Sequence, residues 1–152
     1  MIFLDTWIWM EFLGKTVETE KAQGVIQSIG KKIISTAVLT ELRYHCTKNF
    51  GAENTESIIH LIESDENILI VPLTKEIAKL ASDLRLKYYD KKTRDLSFID
   101  VINLATAILT GCNKFYTGDK GFEGISEIRI ENIRKKQSGK KTKRYKEQED
   151  RG

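Results

Sequence analysis

Four acidic residues of this sequence stand close to the ends of predicted strands or the starts of predicted helices. Asp5 directly follows the apolar residues Ile2–Leu4, and Glu41 lies about two turns into the helix after a second strand. Asp100 lies in the first turn of an apolar helix, and Asp119 comes just after a fourth strand. Open parallel α/β sheets bind their ligands beyond the carboxyl ends of the strands. We therefore expect these four carboxylates to converge at one edge of a sheet.

Carboxylates that converge in this way repel one another, so some would take up protons unless a positive charge balances them. A divalent ion with oxygen ligands, such as Mg²⁺ or Mn²⁺, removes that repulsion. Two such ions about 4 Å apart can hold a phosphodiester for in-line attack by water. The sequence therefore predicts an acidic metal site that acts on an anionic substrate.

Each of the four residues also has a purely structural interpretation. Asp5 could cap the helix that follows it, and Glu41 could be a solvated helix residue. Asp100 stands three residues after Ser97, which is the spacing of a capping box. Asp119 could form a turn between a glycine and a lysine. Any one of the four positions, taken alone, is explained as well by structure as by chemistry.

The helix that carries Asp100 favours the functional interpretation. Its sequence, "SFIDVINLATAILTG", is apolar on nearly all sides, as expected of a buried helix. Its polar side chains recur in one narrow stripe, formed by Asp100, Asn103, Thr106 and Thr110. Such a stripe is either the strip of the helix that solvent reaches or the wall of a site.

Short apolar strands that alternate with helices must position these residues. The pattern predicts strands over 2–4, 32–34, 67–71, 114–116 and 127–130. It predicts helices over 6–13, 17–29, 36–47, 54–65, 74–89 and 97–110. This alternation is typical of an α/β sandwich with a mostly parallel sheet. We expect one such domain over residues 1–133.

The remaining residues, 134–152, differ from the domain in charge. They hold nine Lys/Arg and three Asp/Glu, a net charge of +6, whereas the rest of the chain carries a net charge of −3. A basic tail with so few apolar residues is expected to be disordered when free. We interpret it as an arm that gathers RNA through counterion release, with a solubilising tail or a segment for an acidic protein as alternatives. The basic residues that we assign to this arm are the eight of 134–146: Arg134, Lys135, Lys136, Lys140, Lys141, Lys143, Arg144 and Lys146.

The two cysteines, Cys46 and Cys112, form no disulfide framework and no CxxC pair, so buried free thiols in a reducing compartment are expected. No signal peptide precedes Asp5, and the longest apolar-rich stretch, 98–109, is too short to span a bilayer. We therefore expect a cytoplasmic protein that does not use a membrane.

Four stretches of the sequence resemble, in chain order, the motifs of the PIN-domain nucleases, especially the VapC-type toxins. They are "FLDTWIWMEFL", "STAVLTELRY", "LSFIDVINLATAI" and "FYTGDKGF". Each is weak alone, but four in order at these spacings are specific, and the resemblance runs from residue 2 to about residue 130.

The resemblance implies a three-layer α/β/α sandwich, a Mg²⁺ or Mn²⁺ site and endonucleolytic cleavage of RNA to a 5′-phosphate and a 3′-hydroxyl. The family's acidic quartet maps onto Asp5, Glu41, Asp100 and Asp119. Asp5, Asp100 and Asp119 would hold the metal, and Glu41 would orient the water or hold a second ion. The small polar positions map onto Thr6 and Thr117, which could contact a carboxylate or the phosphate, and Asn103 is expected to orient Asp100. A PIN toxin would also imply a homodimer and a small antitoxin protein.

Two tryptophans, Trp7 and Trp9, follow Asp5 where the family more often has smaller aliphatic residues, and we expect them to pack in the core. Other functions stay open. A PIN nuclease of RNA processing or quality control fits the same residues, and a non-catalytic RNA-binding scaffold would be favoured by the loss of a quartet member. A phosphatase that uses Asp5 as nucleophile would need a second aspartate at position 7, where Trp7 stands.

Overall fold

The computed structural model describes residues 1–134, and within that range the chain forms five parallel strands flanked by six α-helices in three α/β/α layers. The predicted fold is confirmed. The strands are β1 (Ile2–Leu4), β2 (Lys32–Ser35), β3 (Ile68–Val71), β4 (Lys114–Thr117) and β5 (Arg129–Asn132). The helices are α1 (Thr6–Gly14), α2 (Thr19–Ile26), α3 (Thr36–Phe50), α4 (Ala52–Ser64), α5 (Lys75–Tyr88) and α6 (Phe98–Leu109), and a short 3-10 helix covers Lys120–Phe122.

The order of the strands creates a crevice at the carboxyl edge of the sheet. The strands lie in the order β3-β2-β1-β4-β5, so the chain builds outward from β1 in one direction and then returns to add β4 on its other side. β1 and β4 pair in register, with Leu4 opposite Tyr116. The connections after these two neighbouring strands leave in different directions, and such a switch point is where open α/β sheets bind ligands.

Aromatic stacking fixes the two central strands. The rings of Phe3 and Phe115 are parallel, with centroids 5.0 Å apart, and Phe122 packs on Phe115 at 4.7 Å. All three side chains are fully buried. This packing connects β1, β4 and the 3-10 helix, so it holds the backbone segments that carry Asp5 and Asp119 in place relative to each other.

The predicted segments are found in order, but several differ in extent by one to three residues; the third helix, expected over 36–47, runs three residues further to Phe50. The second helix was expected over 17–29 and covers only Thr19–Ile26. The fifth strand was expected over 127–130 and lies two residues later, at Arg129–Asn132. Glu127 is bound by the Tyr88 hydroxyl and Lys87 on α5, at 2.5 and 2.7 Å, which holds it at the helix instead of in the sheet ladder.

Most of the predicted tail, residues 135–152, lies outside the described residues, so the domain boundary at 133 and the RNA-gathering arm stay predictions. Arg134 is described, and its charge lowers the raised pKa of Glu11 on α1. Over residues 1–134, none of the helices has the length and apolar content that a membrane span would need.

Candidate active site

Asp5 lies at the carboxyl end of β1 and is 5% exposed. It occupies the position before α1, yet its side chain makes no capping bond to that helix. Its Oδ2 instead accepts a hydrogen bond from the hydroxyl of Thr117 at 2.8 Å, and its Oδ1 accepts a longer one from the amide of Asn103 at 3.4 Å. The capping interpretation of Asp5 is therefore wrong. The carboxylate is held at the switch point by residues from β4 and α6.

Asn103 is fully buried on α6 and contacts Asp5, where the sequence had suggested that it would orient Asp100. Its Oδ1 accepts a hydrogen bond from the hydroxyl of Ser35, at the end of β2. The same hydroxyl accepts from the backbone N–H of Val38 and so caps α3. At Asn103, the polar stripe of α6 is therefore buried and does not face solvent. Ser35 was not predicted as part of the site, although a serine between a strand and a helix is a capping signal.

Glu41 reaches the same edge from α3. It is half-buried, and its Oε1 accepts a hydrogen bond from the hydroxyl of Thr6 at 2.8 Å. Thr6 directly follows Asp5 in the chain, so the start of α1 links the position of Asp5 to that of Glu41. Glu41 is therefore a positioned side chain and not a freely solvated one.

Asp100 and Asp119 each cap a helix, as the structural interpretations of the sequence predicted for a capping box and a turn. Asp100 and Ser97 form a complete capping box at the start of α6, with bonds of 2.9 and 3.1 Å. Asp119 is exposed, and its Oδ1 accepts from the backbone N–H of Gly121 at 2.8 Å, which caps the 3-10 helix. Each cap uses one carboxylate oxygen, so a structural role and a place at the site are compatible.

The pKa values show that the four carboxylates act on one another. The pKa of Asp5 is raised from 3.8 to about 7, mainly by burial; the hydrogen bond from Thr117 lowers it, and the charges of Asp100 and Glu41 contribute to the rise. Burial also raises the pKa of Asp100, helped by the charges of Asp119 and Glu41 and opposed by its bonds to Ser97. The four carboxylates are therefore near enough at this edge of the sheet for their charges to interact.

The donor chemistry of the quartet suits a hard divalent cation. Its side chains offer only carboxylate oxygens, the ligands that Mg²⁺ and Mn²⁺ prefer. Among residues 1–134, none of the four forms a salt bridge with a lysine or an arginine. In the same range no three His, Cys, Asp or Glu side chains are placed so that they could hold a metal ion directly. The charge fits the cation, while direct ligation would require the carboxylates to move closer together.

The two tryptophans pack as predicted, and one of them supports the site. Trp9 is buried in the core, and Trp7 is half-buried against it. The indole of Trp7 covers the backbone of Gly118, between Thr117 and Asp119, so closely that a Cβ added there would lie 2.2 Å from two ring atoms. Only glycine fits under this ring, and the ring in turn restricts the segment that carries Asp119.

A family model described as PIN domain matches residues 2–128 of the chain. No curated protein matches the chain.

Solved structures share the fold at low sequence identity. VapC20 from Mycobacterium tuberculosis, a sarcin-ricin loop cleaving toxin, aligns with a TM-score of 0.69 at 19% identity over 85% of this chain and 99% of that chain. A toxin–antitoxin complex from Klebsiella pneumoniae aligns with a TM-score of 0.68 at 22% identity over 88% of this chain and 98% of that chain. VapBC2 from Rickettsia felis, bound to a DNA fragment from its promoter, aligns with a TM-score of 0.68 at 22% identity over 87% of this chain and 98% of that chain.

Proposed function

We propose that this chain, which belongs to the PIN-domain family, is an endoribonuclease that depends on Mg²⁺ or Mn²⁺. The observation that supports the proposal is the convergence of Asp5, Glu41, Asp100 and Asp119 at the switch point of the sheet without a lysine or arginine paired to any of them among the described residues. An uncompensated acidic site has little use for an anionic substrate unless a cation joins them.

In this proposal Asp5, Asp100 and Asp119 would hold the metal, and Glu41 would orient the attacking water or hold a second ion. When bound, the metal would supply a water of lowered pKa and neutralise charge on the phosphate. The protein keeps each ligand in place beforehand. Thr117 and Asn103 fix the two oxygens of Asp5, Thr6 fixes Glu41, and the backbone N–H of Ser97 fixes Asp100. Such supporting bonds orient metal ligands and tune their basicity.

The physiological role that we propose is the toxin of a toxin–antitoxin pair, acting as a homodimer that a small antitoxin protein inhibits. Support comes from the neighbours in structure, which include a loop-cleaving toxin and toxin–antitoxin complexes. Because the quartet is complete, the chain keeps every acidic residue that cleavage would need, which speaks against a purely scaffolding role.

The proposal is tested by cleavage of a labelled structured RNA in Mg²⁺ or Mn²⁺ by the wild type, Asp100→Asn and Asp95→Asn. Asparagine can still accept the cap bond from Ser97, so Asp100→Asn should fold. Asp95 is an exposed aspartate nearby and serves as the matched control. We expect the wild type and Asp95→Asn to cleave alike, and Asp100→Asn or EDTA to abolish cleavage.

Equal cleavage by all three proteins would reject Asp100 as part of the site. Absence of cleavage by the wild type on several RNAs, together with no thermal stabilisation by Mn²⁺, would reject the nuclease proposal itself.

We also propose that residues 134–152 gather RNA. Removing them should weaken RNA binding and reduce the slope of log affinity against log salt by about 0.7 for each phosphate of a single strand that the protein then leaves unneutralised. Unchanged affinity and slope would contradict this role.

A further inference from the structure

The guanidinium of one arginine lies over two aromatic rings beside the start of α6, and these three side chains are called the stack below. The guanidinium of Arg85 on α5 lies 4.0 Å from the ring centroid of Tyr89 and 4.1 Å from that of Phe98. Arg85 is further fixed by a bond of 3.2 Å from its Nε to the backbone oxygen of Leu96. Stacking of this kind holds the planar group and both rings in one geometry.

The outer end of this stack is open. Phe98 is 65% exposed even though one face of its ring meets Arg85. A large aromatic ring fixed in place and left in water is unusual, because burying its free face would be favourable. It suggests a surface that a flat partner completes.

The stack also lies close to the candidate active site. Phe98 is the first residue of α6, and Asp100 stands two positions later in the same turn, on the other side of the helix. The width of a helix, about 10 Å, therefore separates ring and carboxylate. A stacked nucleic-acid strand rises about 3.4 Å per nucleotide, and a strand that joins the two must pass around the end of the helix, so the path is at least about three nucleotides long.

The charge around the stack suits an anionic strand. Residues 85–98 contain five Lys/Arg and two Asp, a net charge of +3 that falls to +2 when the partner of Lys87, Glu127, is counted, whereas the candidate site next to them is acidic. Lys91 and Lys92 are exposed in the loop between α5 and α6. Aromatic rings and arginine planes bind unpaired bases by stacking, and nearby cations bind the phosphates.

We propose that Phe98, backed by Arg85 and Tyr89, is a stacking platform for an unpaired RNA base at least about three nucleotides from the scissile phosphate. The inference rests on the proposed ribonuclease function and assigns it a substrate class, RNA with an unpaired base at that distance. Phe98 acts in binding and takes no part in the chemistry. A base pair would hide the face that the ring needs, so a fully double-stranded RNA would not use this platform.

The test uses the full chain and a fluorescein-labelled 12-nucleotide oligo(A), with binding followed by anisotropy in EDTA so that no cleavage occurs. We expect Phe98→Ala to weaken binding by about tenfold and Phe98→Trp to preserve it, since base–aromatic stacking is lost in the first and kept in the second. Leu109→Ala is the matched control, because Leu109 is the 50% exposed last residue of the same helix.

A second readout reports stacking directly. When a 2-aminopurine replaces one adenine, the wild type and Phe98→Trp should quench its fluorescence on binding, whereas Phe98→Leu, which is apolar but has no ring, should not. A merely structural role of Phe98 would not produce this difference.

Four results would overturn the proposal. Binding by Phe98→Ala within twofold of the wild type would do so, and if the wild type still cleaves RNA, the ribonuclease proposal stands without it. Equal quenching by Phe98→Leu would exclude stacking. A change of oligomeric state in Phe98→Ala, seen by light scattering, together with unchanged binding per protomer, would assign the ring to an interface between copies of the chain. If the wild type neither binds oligo(A) nor cleaves any RNA, both proposals fall.

Discussion

The two halves of the acidic site are held by different kinds of bonds. Asp5, in the buried half, is fixed by side chains that lie 98 and 112 residues away along the chain. Asp100 and Asp119, at the rim, are fixed by backbone N–H groups two or three residues away. The buried carboxylate depends on the assembled fold, whereas each rim carboxylate is supported by its own turn.

The buried half of the site therefore carries the larger free-energy cost of ionising a carboxylate. A carboxylate without solvent and without a counter-charge is unfavourable in its ionised form, and the pKa of Asp5 is raised to about 7. Backbone N–H bonds lower the cost of ionising Asp100 at the rim. The Thr117 hydroxyl joins the two halves, since it donates to Asp5 and accepts from the backbone N–H of Asp119 at 3.0 Å.

The largest expected effect compares Asp5→Asn with Asp119→Asn in RNA cleavage. Asp5 is the best-positioned ligand of the proposed metal, so its substitution should lower kcat/KM on the order of 10³-fold. Asp119 is exposed, and water can replace part of its contribution, so we expect a loss on the order of tenfold to a hundredfold. Equal losses in a single-turnover assay would show that burial does not set the rank of the two ligands.

The next effect concerns stability against pH in the absence of metal. Because the pKa of Asp5 is about 7 in the folded protein and near 3.8 when unfolded, the folded state holds more protons between these values. The contribution of Asp5 to stability is therefore full below pH 4 and is lost as pH rises towards 7.

Asp5→Asn removes this loss. Its free energy of unfolding should gain on that of the wild type by about 3 kcal/mol between pH 4 and pH 7, measured by urea denaturation. Mn²⁺ at pH 7 should reduce the gain, since the ion stabilises the ionised wild type. A difference in the free energy of unfolding that stays constant at all pH values would show that ionisation of Asp5 does not destabilise the folded protein.

Thr117→Val tests the bridge between the two halves. Valine keeps the shape and removes the hydroxyl, so Asp5 loses a donor and the Asp119 segment loses an acceptor. Loss of such a supporting bond typically weakens metal binding tenfold to a hundredfold, which calorimetry with Mn²⁺ can measure. Thr106→Val is the matched control, because Thr106 is also fully buried but its hydroxyl bonds only to the carbonyl of Ile102 on its own helix.

Equal Mn²⁺ affinities for Thr117→Val and Thr106→Val would remove Thr117 from the site.

The smallest expected effect tests the indole that covers the rim. Gly118→Ala forces Trp7 to move, so we expect a loss of about 1–3 kcal/mol in stability and a loss of activity through displacement of Asp119. Gly24→Ala is the control, because Gly24 lies in α2 with nothing within 4 Å of the added Cβ. That helix should gain up to about 1 kcal/mol, with cleavage unchanged.

If Trp7→Leu combined with Gly118→Ala restores stability, the clash is the cause. A single Gly118→Ala variant as stable and active as the wild type would contradict the assigned packing.

Much of the fold was predictable because its signals are local. The apolar run before Asp5 and the glycines that end helices are readable in short windows, and the structure confirms every predicted strand and helix in order. The errors occur where distant contacts decide. The fifth strand was placed two residues early because its apolar pattern does not reveal that Glu127 binds Tyr88 on another element.

The site follows the same division. Residue order alone shows that Asp5 and Asp119 follow strands, that Asp100 lies in the first turn of a helix and that Glu41 lies about two turns into another. It also determined the capping box of Ser97 and Asp100, whose partners are three residues apart.

Three contacts depend on how the elements pack. Asn103 donates to Asp5 and not to Asp100, and Ser35 completes this chain of hydrogen bonds. Trp7 covers Gly118. The tertiary structure also placed Phe98 and Arg85, from two helices, in one stack. The physical reason is that each of these contacts joins residues from different elements. Their distances are set by how strands pair and helices pack, which no short window of sequence contains.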